Sequence, residues 1–257
     1  MTFTLLGTGT SQGIPVIGCT CETCISTDPR DNRLRCSAWI KTERTNIIID
    51  VGPDFRTQCL RYGVTDLDAV FLTHEHNDHM IGLDDARPFM FKARKALPVY
   101  AEQRVLDEVT TRFAYAFEEH IYPGAPRFEM KIIASSDITE IEDVKIQALR
   151  TMHGSLPILG YLINDKVAYL TDSNAYPDET MNILKGVDVL IIDMLREQDH
   201  HSHNNFTMAM DYAQLIGAKK TYLIHMSHLM GPVKKWEERL PEGVYAGYDG
   251  LALDLQS

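Results

Sequence analysis

A chain of 257 residues that is 44% hydrophobic and 24% charged has enough material for one substantial core and the balance of an ordinary globular protein. Its net charge of −11 argues against a general polyanion-binding surface, because phosphate backbones are held mainly by Lys and Arg. No apolar run approaches the roughly 18 residues of a membrane span, and Met1–Gly7 lacks a basic region followed by a long apolar stretch, so a cytoplasmic protein with no membrane contact is expected.

In chain order, Phe3–Leu6 reads as a short strand that ends in the glycine-punctuated loop Gly7–Gly13. That loop lacks the lysine and hydroxyl pair of a phosphate loop and completes no dinucleotide fingerprint, so a close backbone passage is all it predicts. Cys19, Cys21 and Cys24 follow, three of the five cysteines packed into one tight turn. Thiolates so close repel unless a cation holds them, which points to a structural zinc whose fourth ligand comes from elsewhere. Ser37–Lys41 and Asn46–Asp50 read as strands, and Phe55–Tyr62 as a helix closed by Gly63. Asp50 is read either as the acceptor that orients a metal-binding histidine or as a cap on the segment after Pro53. Cys36 and Cys59 read as packing residues.

The densest chemistry lies in His74–His79, three imidazoles and a carboxylate in six residues just after the apolar run Asp68–Thr73. Alternate side chains of an extended segment share a face, so His74, His76 and Asp78 point together and His79 follows at a turn, leaving Glu75 and Asn77 as outward-facing spacers. Imidazole and carboxylate are the ligands that first-row divalent ions prefer. Arg87, with Asp84 and Asp85 in the helical segment that follows, is read either as a substrate contact or as a solvated ion pair. Leu97–Tyr100 then predicts a strand, Glu102–Glu119 an amphipathic helix, and Lys131–Ala134 and Val144–Arg150 two more strands. His153 stands at the end of the last of these. Tyr161–Asp172 predicts a hairpin turned at Asn164 and Asp165, and Val187–Asp193 is another apolar strand closed by an acid. Asn205 is expected to cap a helix over Phe206–Ile216 that Gly217 stops, and Lys220–His228 reads as a strand with two terminal histidines. Strand ends thus carry His74 and His76, His153, Asp172 and His225, in a chain whose strands and helices alternate as a layered α/β fold requires.

These residues resemble the metallo-β-lactamase superfamily, whose His-x-His-x-Asp-His motif is met without substitution at His74, His76, Asp78 and His79. The resemblance implies a four-layer αββα sandwich formed by residues 1–257 as one domain. It also implies a dinuclear site in which His74, His76 and His153 serve one divalent ion, Asp78, His79 and His225 the other, and Asp172 bridges them, the ions being zinc or manganese. Within the superfamily, Cys19, Cys21, Cys24 and His228 look like the extra zinc site of the phosphodiesterase of the carbon-phosphorus lyase pathway, a relative that also has a histidine matching His203. The activity so implied is that of a phosphodiesterase acting on a small phosphodiester, cyclic or open, through a two-metal-activated hydroxide oriented by Asp78, with His203 as general acid. His200 and His201 are left as an exposed polar loop. A homodimer is implied by the resemblance, and nucleic acid is not an expected partner. The rival readings are a tRNA-processing type of nuclease or another metallo-hydrolase, and a metal-loaded biosynthetic accessory protein without turnover, like the pyrroloquinoline quinone synthesis protein that carries a similar cysteine site.

Overall fold

The computed structural model describes residues 1–120 and 122–255. The strands β1 (Thr2–Gly7), β2 (Ser37–Lys41), β3 (Asn46–Ile49), β4 (Ala69–Phe71), β5 (Leu97–Ala101) and β6 (Phe128–Ile132) lie side by side in that order. A second sheet runs in order from β7 (Ile138–Ile141) through β8 (Val144–His153), β9 (Leu156–Ile163), β10 (Val167–Leu170), β11 (Val189–Asp193) and β12 (Lys220–Ile224) to β13 (Val244–Ala246). The last strand, β14 (Ala252–Asp254), returns to the first sheet and pairs antiparallel with β1. Each sheet therefore has seven strands among the described residues.

Alternation along the strands explains the layering. In β3, Ile47 and Ile49 face the second sheet, where with Phe3, Leu5 and Phe71 they meet Ile146, Tyr161, Tyr169 and Ile191. Ile48 and Val70 face the other way, into a second core with Phe55, Met90, Val105 and Val109. Those residues come from α1 (Phe55–Tyr62), α3 (Arg87–Ala93) and α4 (Gln103–Arg112), with the short α2 (Asn77–Met80) between the first two. On the far side Leu170, Leu190 and Ile192 pack against Leu184, Ala209, Ile216 and Trp236 of α5 (Asp178–Leu184), α6 (Phe206–Ile216) and α7 (Val233–Trp236). Both faces of the central parallel strands are covered, which is why β11 is apolar at four successive positions before Asp193. The order of layers is helix, sheet, sheet, helix, the αββα sandwich expected.

A buried side-chain contact crosses between the sheets. The fully buried Tyr161 of β9 donates its hydroxyl to the carbonyl of Leu72 at 2.5 Å, and its ring meets Phe71 edge-on at 5.5 Å. Tyr161→Phe keeps the ring and strips the donor, so it should cost about 1–3 kcal/mol, read as a lower urea midpoint at unchanged slope. A midpoint equal to the wild type would mean that the carbonyl is satisfied without the tyrosine.

Sequence patterning located most elements, and the departures have physical causes. The α1 and α6 helices have the expected bounds; Gly63 and Gly217 stop them in the left-handed conformation, and the Asn205 side chain accepts from Met208 N at 2.8 Å. The helix read as Glu102–Glu119 ends at Arg112. Phe113 turns inward against Phe128, with centroids 6.1 Å apart, and this aromatic anchor breaks the helix although the amphipathic pattern continues. The same ring draws in Phe128, so β6 occupies Phe128–Ile132 rather than Lys131–Ala134. The edge strand β7 and the helix α5 gave no signal strong enough to be read.

Candidate metal centre

The strands deliver the singled-out residues to one edge. Three sets of donor atoms, each set lying within 4.8 Å, form there: His74, His76 and His153; His74, His79 and Asp172; and Asp172, His203 and His225. His74 links the first two sets and Asp172 the last two. Asp78 Oδ2 lies 3.3 Å from His79 Nε2, so it stands beside the second set.

The His79, His74 and His153 rings are each turned by a partner behind them. His79 Nδ1 donates to Asp50 Oδ2 at 2.8 Å, and Asp50 is itself held by Thr73, whose backbone N donates at 2.8 Å and whose hydroxyl donates at 2.9 Å. The Thr73 hydroxyl also lies 2.9 Å from His74 Nδ1, and His153 Nδ1 donates to the carbonyl of Ser202 at 3.1 Å. The Asp50 carboxylate is thus spent on His79 and Thr73. With one nitrogen engaged behind, the other faces the edge, the arrangement that metal-binding histidines require. Backbone packing reinforces it: Val51 N donates to the His79 carbonyl at 2.7 Å, and a Cβ on Gly52 would sit 1.9 Å from the Asp78 carbonyl oxygen, so only glycine lets the chain after β3 pass so close.

Two buried nitrogens, His79 Nε2 and His225 Nδ1, have no hydrogen-bond partner although carboxylates crowd them. Asp172 Oδ1 is 3.3 Å from the first and 3.0 Å from the second, close in distance but not aligned for a hydrogen bond. Burial opposes charge on His79, yet Asp172, Asp78 and Asp50 carry it well above the ordinary imidazole range. Burial and His79 hold His74 well below it, and burial takes His153 down to about 4. Lone pairs converging among buried carboxylates fit divalent cations, which discharge the acids and give the orphaned nitrogens a partner. The residues present thus suit the metals that members of such a fold bind.

Asp50, Asp172 and His225 each follow a strand with φ near +60° (60°, 55° and 61°). Left-handed backbone at a side chain of this kind costs about 1–3 kcal/mol and persists only where the surroundings enforce it. All three bend the chain out of its strand so that the side chain turns into the edge.

His203 lies over the edge, 4.6 Å ring to ring from both His153 and His225, with its Nδ1 2.7 Å from Asp193 Oδ2. Burial and His225 push His203 down to about 3, and burial pushes the Asp193 carboxyl well above its usual range. The role of Asp193 was missed in the sequence, although its position at the end of an apolar strand was the signal that marked Asp172. His200 and His201 line up behind His203, at 5.0 Å from His200 to His203 and 4.3 Å between themselves, with His201 exposed.

Glu75 and Asn77 are not free spacers. The Glu75 carboxylate pairs with Arg104, and Arg112 Nη1 donates to the Glu75 carbonyl and to Asn77 Oδ1, both at 2.7 Å. Arg87 pairs with Asp84 at 2.6 Å and lines a cavity of about 520 Å3 with Phe55, Leu60 and Phe91, outside the three donor sets. Away from the edge, the Cys19, Cys21 and Cys24 thiols lie 3.3, 3.3 and 3.6 Å from His228 Nδ1, a fourfold set of three sulfurs and one nitrogen. Burial opposes it, but the Cys24 N–H and His228 bring Cys21 down to about 6, while burial lifts Cys24 to about 11. One thiolate forms readily and a second resists, the charge problem that a zinc ion resolves.

A layered αββα chain with histidines and aspartates converging at one sheet edge defines the class of metal-dependent hydrolases. The chain belongs to the β-lactamase superfamily, whose domain model matches residues 45–226. It is 37% identical to a diphosphatase from the PhnP family, with a TM-score of 0.91 over 98% of this chain and 96% of that one. An octanoyltransferase of Porphyromonas gingivalis is 43% identical over 96% of this chain, which spans only 50% of that curated relative's length. Zinc-bound PqqB from Methylobacterium extorquens, at 18% identity, shares the fold with a TM-score of 0.80 over 99% of this chain and 100% of its own. Among the described residues no helix is long and apolar enough to cross a membrane.

Proposed function

We propose that the chain hydrolyses a small phosphodiester at a dinuclear edge. In this reading His74, His76 and His153 would hold one divalent zinc or manganese and Asp78, His79 and His225 the other, with Asp172 shared between them, while Cys19, Cys21, Cys24 and His228 would hold a structural zinc. The observation that supports it is the linked donor sets around His79 Nε2 and His225 Nδ1, buried nitrogens without a hydrogen-bond partner that a cation between them and the carboxylates would satisfy. Two such ions supply a strong nucleophile from water near neutral pH and neutralise charge developing on phosphate oxygens. The chain's own contribution is orientation and proton transfer. Asp50 and Thr73 fix the His79 and His74 rings, Asp78 accepts a hydrogen bond from the attacking water, and His203 donates a proton to the leaving oxygen. The proton is held by the His203–Asp193 pair, in which burial disfavours a bare imidazolium and a bare carboxylate alike, so that together they retain one proton that His203 Nε2 can deliver. Residues 1–257 act as one domain in this reading, which is supported by the pairing of β14 with β1 and by the reach of the cysteine turn to His228.

Turnover of a bis-aryl phosphodiester with added manganese or zinc, abolished by chelator, is the test. A metal-replete protein that leaves this substrate and diphosphates untouched would sink the proposal and favour an accessory role. A second reading, hydrolysis of a phosphoanhydride in a small diphosphate, is favoured by the 37% identical diphosphatase; faster cleavage of a nucleoside diphosphate derivative than of any diester would select it. Cys21→Ser should remove one zinc per chain by elemental analysis and lower the melting midpoint by about 5–10 °C, with turnover persisting in the chains that remain folded.

A further inference from the structure

His74 and His79 are fully buried and locked by Thr73 and Asp50, but His76 between them is exposed, and its contacts are with the His74 and His153 rings. Packing does not place it. The residues on either side are gripped from α4: Arg112 donates to the Glu75 carbonyl and the Asn77 side chain, and Arg104 pairs with the Glu75 carboxylate. Arg104 reaches in the same way to the carbonyl of Pro157, four residues beyond His153. Arg150, three residues before His153, pairs with Glu102 at the start of α4 at 2.5 Å and donates to the Ile158 carbonyl at 3.2 Å. One helix therefore holds both flanks of His76 and the base of the hairpin that carries His153.

We propose that Arg104 and Arg112 are positioning residues for one ion of the pair, the one assigned to His74, His76 and His153, and leave the other ion to Asp50 and Asp172. The inference rests on the dinuclear reading above. Nothing from α4 touches Asp78, His79, Asp172 or His225 in a hydrogen bond among the described residues, so the support from α4 reaches only the half that holds His76 and His153, whereas Thr73 and Asp50 hold His74 and His79 alike. Arginine suits the task because its planar fork donates in several directions at once: in Arg112 Nη1 serves a carbonyl and a side-chain oxygen while Nη2 is braced by Glu108 at 3.0 Å, and in Arg104 the two arms reach a carboxylate and a carbonyl.

The experiment compares the wild type with Arg112→Ala, Arg112→Lys and Asn77→Ala, each equilibrated against buffers of graded free zinc, with bound zinc counted by elemental analysis and the chelated proteins melted in parallel. The wild type should fill three sites, two at the edge and one at the cysteine turn. Arg112→Ala should lose one edge ion selectively, needing about 10- to 100-fold more free zinc to regain it, while the other two ions titrate as in the wild type. Arg112→Lys, which keeps the charge but not the fork, should fall between. Adding Asn77→Ala to Arg112→Ala should cost no more than Arg112→Ala alone, because both remove the same bond. Melting midpoints of the chelated forms should agree within about 4 °C, since partly exposed pairs contribute little to the fold. A purely structural role would instead lower those midpoints and weaken all ions together. An Arg112→Ala curve superimposable on the wild type would overturn the proposal, and so would equal weakening of both edge ions. A wild type that never binds more than one zinc would overturn the dinuclear reading itself, a distinguishable result.

Discussion

Asp172→Ala is expected to lose about 1,000-fold or more in turnover of an aryl phosphodiester, even with metal in excess. The expectation comes from the number of groups that depend on one carboxylate. Asp172 is buried, receives the Thr171 hydroxyl at 2.6 Å, and places Oδ1 within 3.0 Å of His225 Nδ1 and 3.3 Å of His79 Nε2. Burial disfavours its charge, yet His225 and His79 hold it well below the ordinary carboxylate range, so it enters the edge fully ionised. Without it His225 loses its nearest anion and the two halves of the edge lose their common member. A bridged pair of cations contributes several kcal/mol to an in-line displacement at phosphorus, and about 4 kcal/mol corresponds to about 1,000-fold. Asp172→Asn keeps the shape without the charge and should lose nearly as much, with at least one bound ion missing by elemental analysis. A loss smaller than about tenfold in either variant would remove Asp172 from the bridging role.

The second large effect is on His203 and depends on the substrate. His203→Ala should slow substrates with poor alkoxide leaving groups by about 100- to 10,000-fold and leave an activated aryl diester much less affected, because an aryloxide departs without a proton. Bound metal should be unchanged. That last measurement matters because His203 also lies within 4.8 Å of the donors of Asp172 and His225. Its Nδ1 is committed to Asp193, which favours the proton-donor reading, but Nε2 is a competent ligand atom. Equal losses on both substrate classes together with a missing ion would make His203 a ligand instead. Asp193→Asn should reproduce part of the leaving-group dependence, since it removes the acid of the pair and keeps the hydrogen bond.

The parts of this site that the sequence displayed are those in which one short stretch carries its own chemistry. His74, His76, Asp78 and His79 fall within six residues, and Cys19, Cys21 and Cys24 within six more, so spacing alone pointed to the donor clusters that the structure brings together. Isolated residues such as His153, Asp172 and His225 were legible only because each ends an apolar strand and because the family motif gave them an order. Asp193 met the same criterion and was passed over, since nothing local distinguishes an acid that orients a histidine from one that caps a strand. Arg104 and Arg112 were unreadable for a different reason: on an amphipathic helix they look like solvent-facing charge, and their Glu75 partner lies 29 and 37 residues away in sequence. The layers themselves followed from period-two patterning, as in Ile47, Ile48 and Ile49, while edge elements such as β7, with little buried surface, wrote little into the sequence.

The pairing of β1 with β14, Thr2 opposite Asp254, bears on how the chain is made. During synthesis the first strand emerges long before its outer neighbour, and the cysteine turn waits for His228, more than two hundred residues later. An unpaired edge of β1 is a template for pairing with other nascent chains. Contacts between residues as far apart as Thr2 and Asp254, 252 positions, also raise the contact order, and with it slow closure. The histidine and aspartate edge, whose donors run from His74 to His225, therefore comes together late, and the yield of folded protein will depend on how well that waiting strand is shielded.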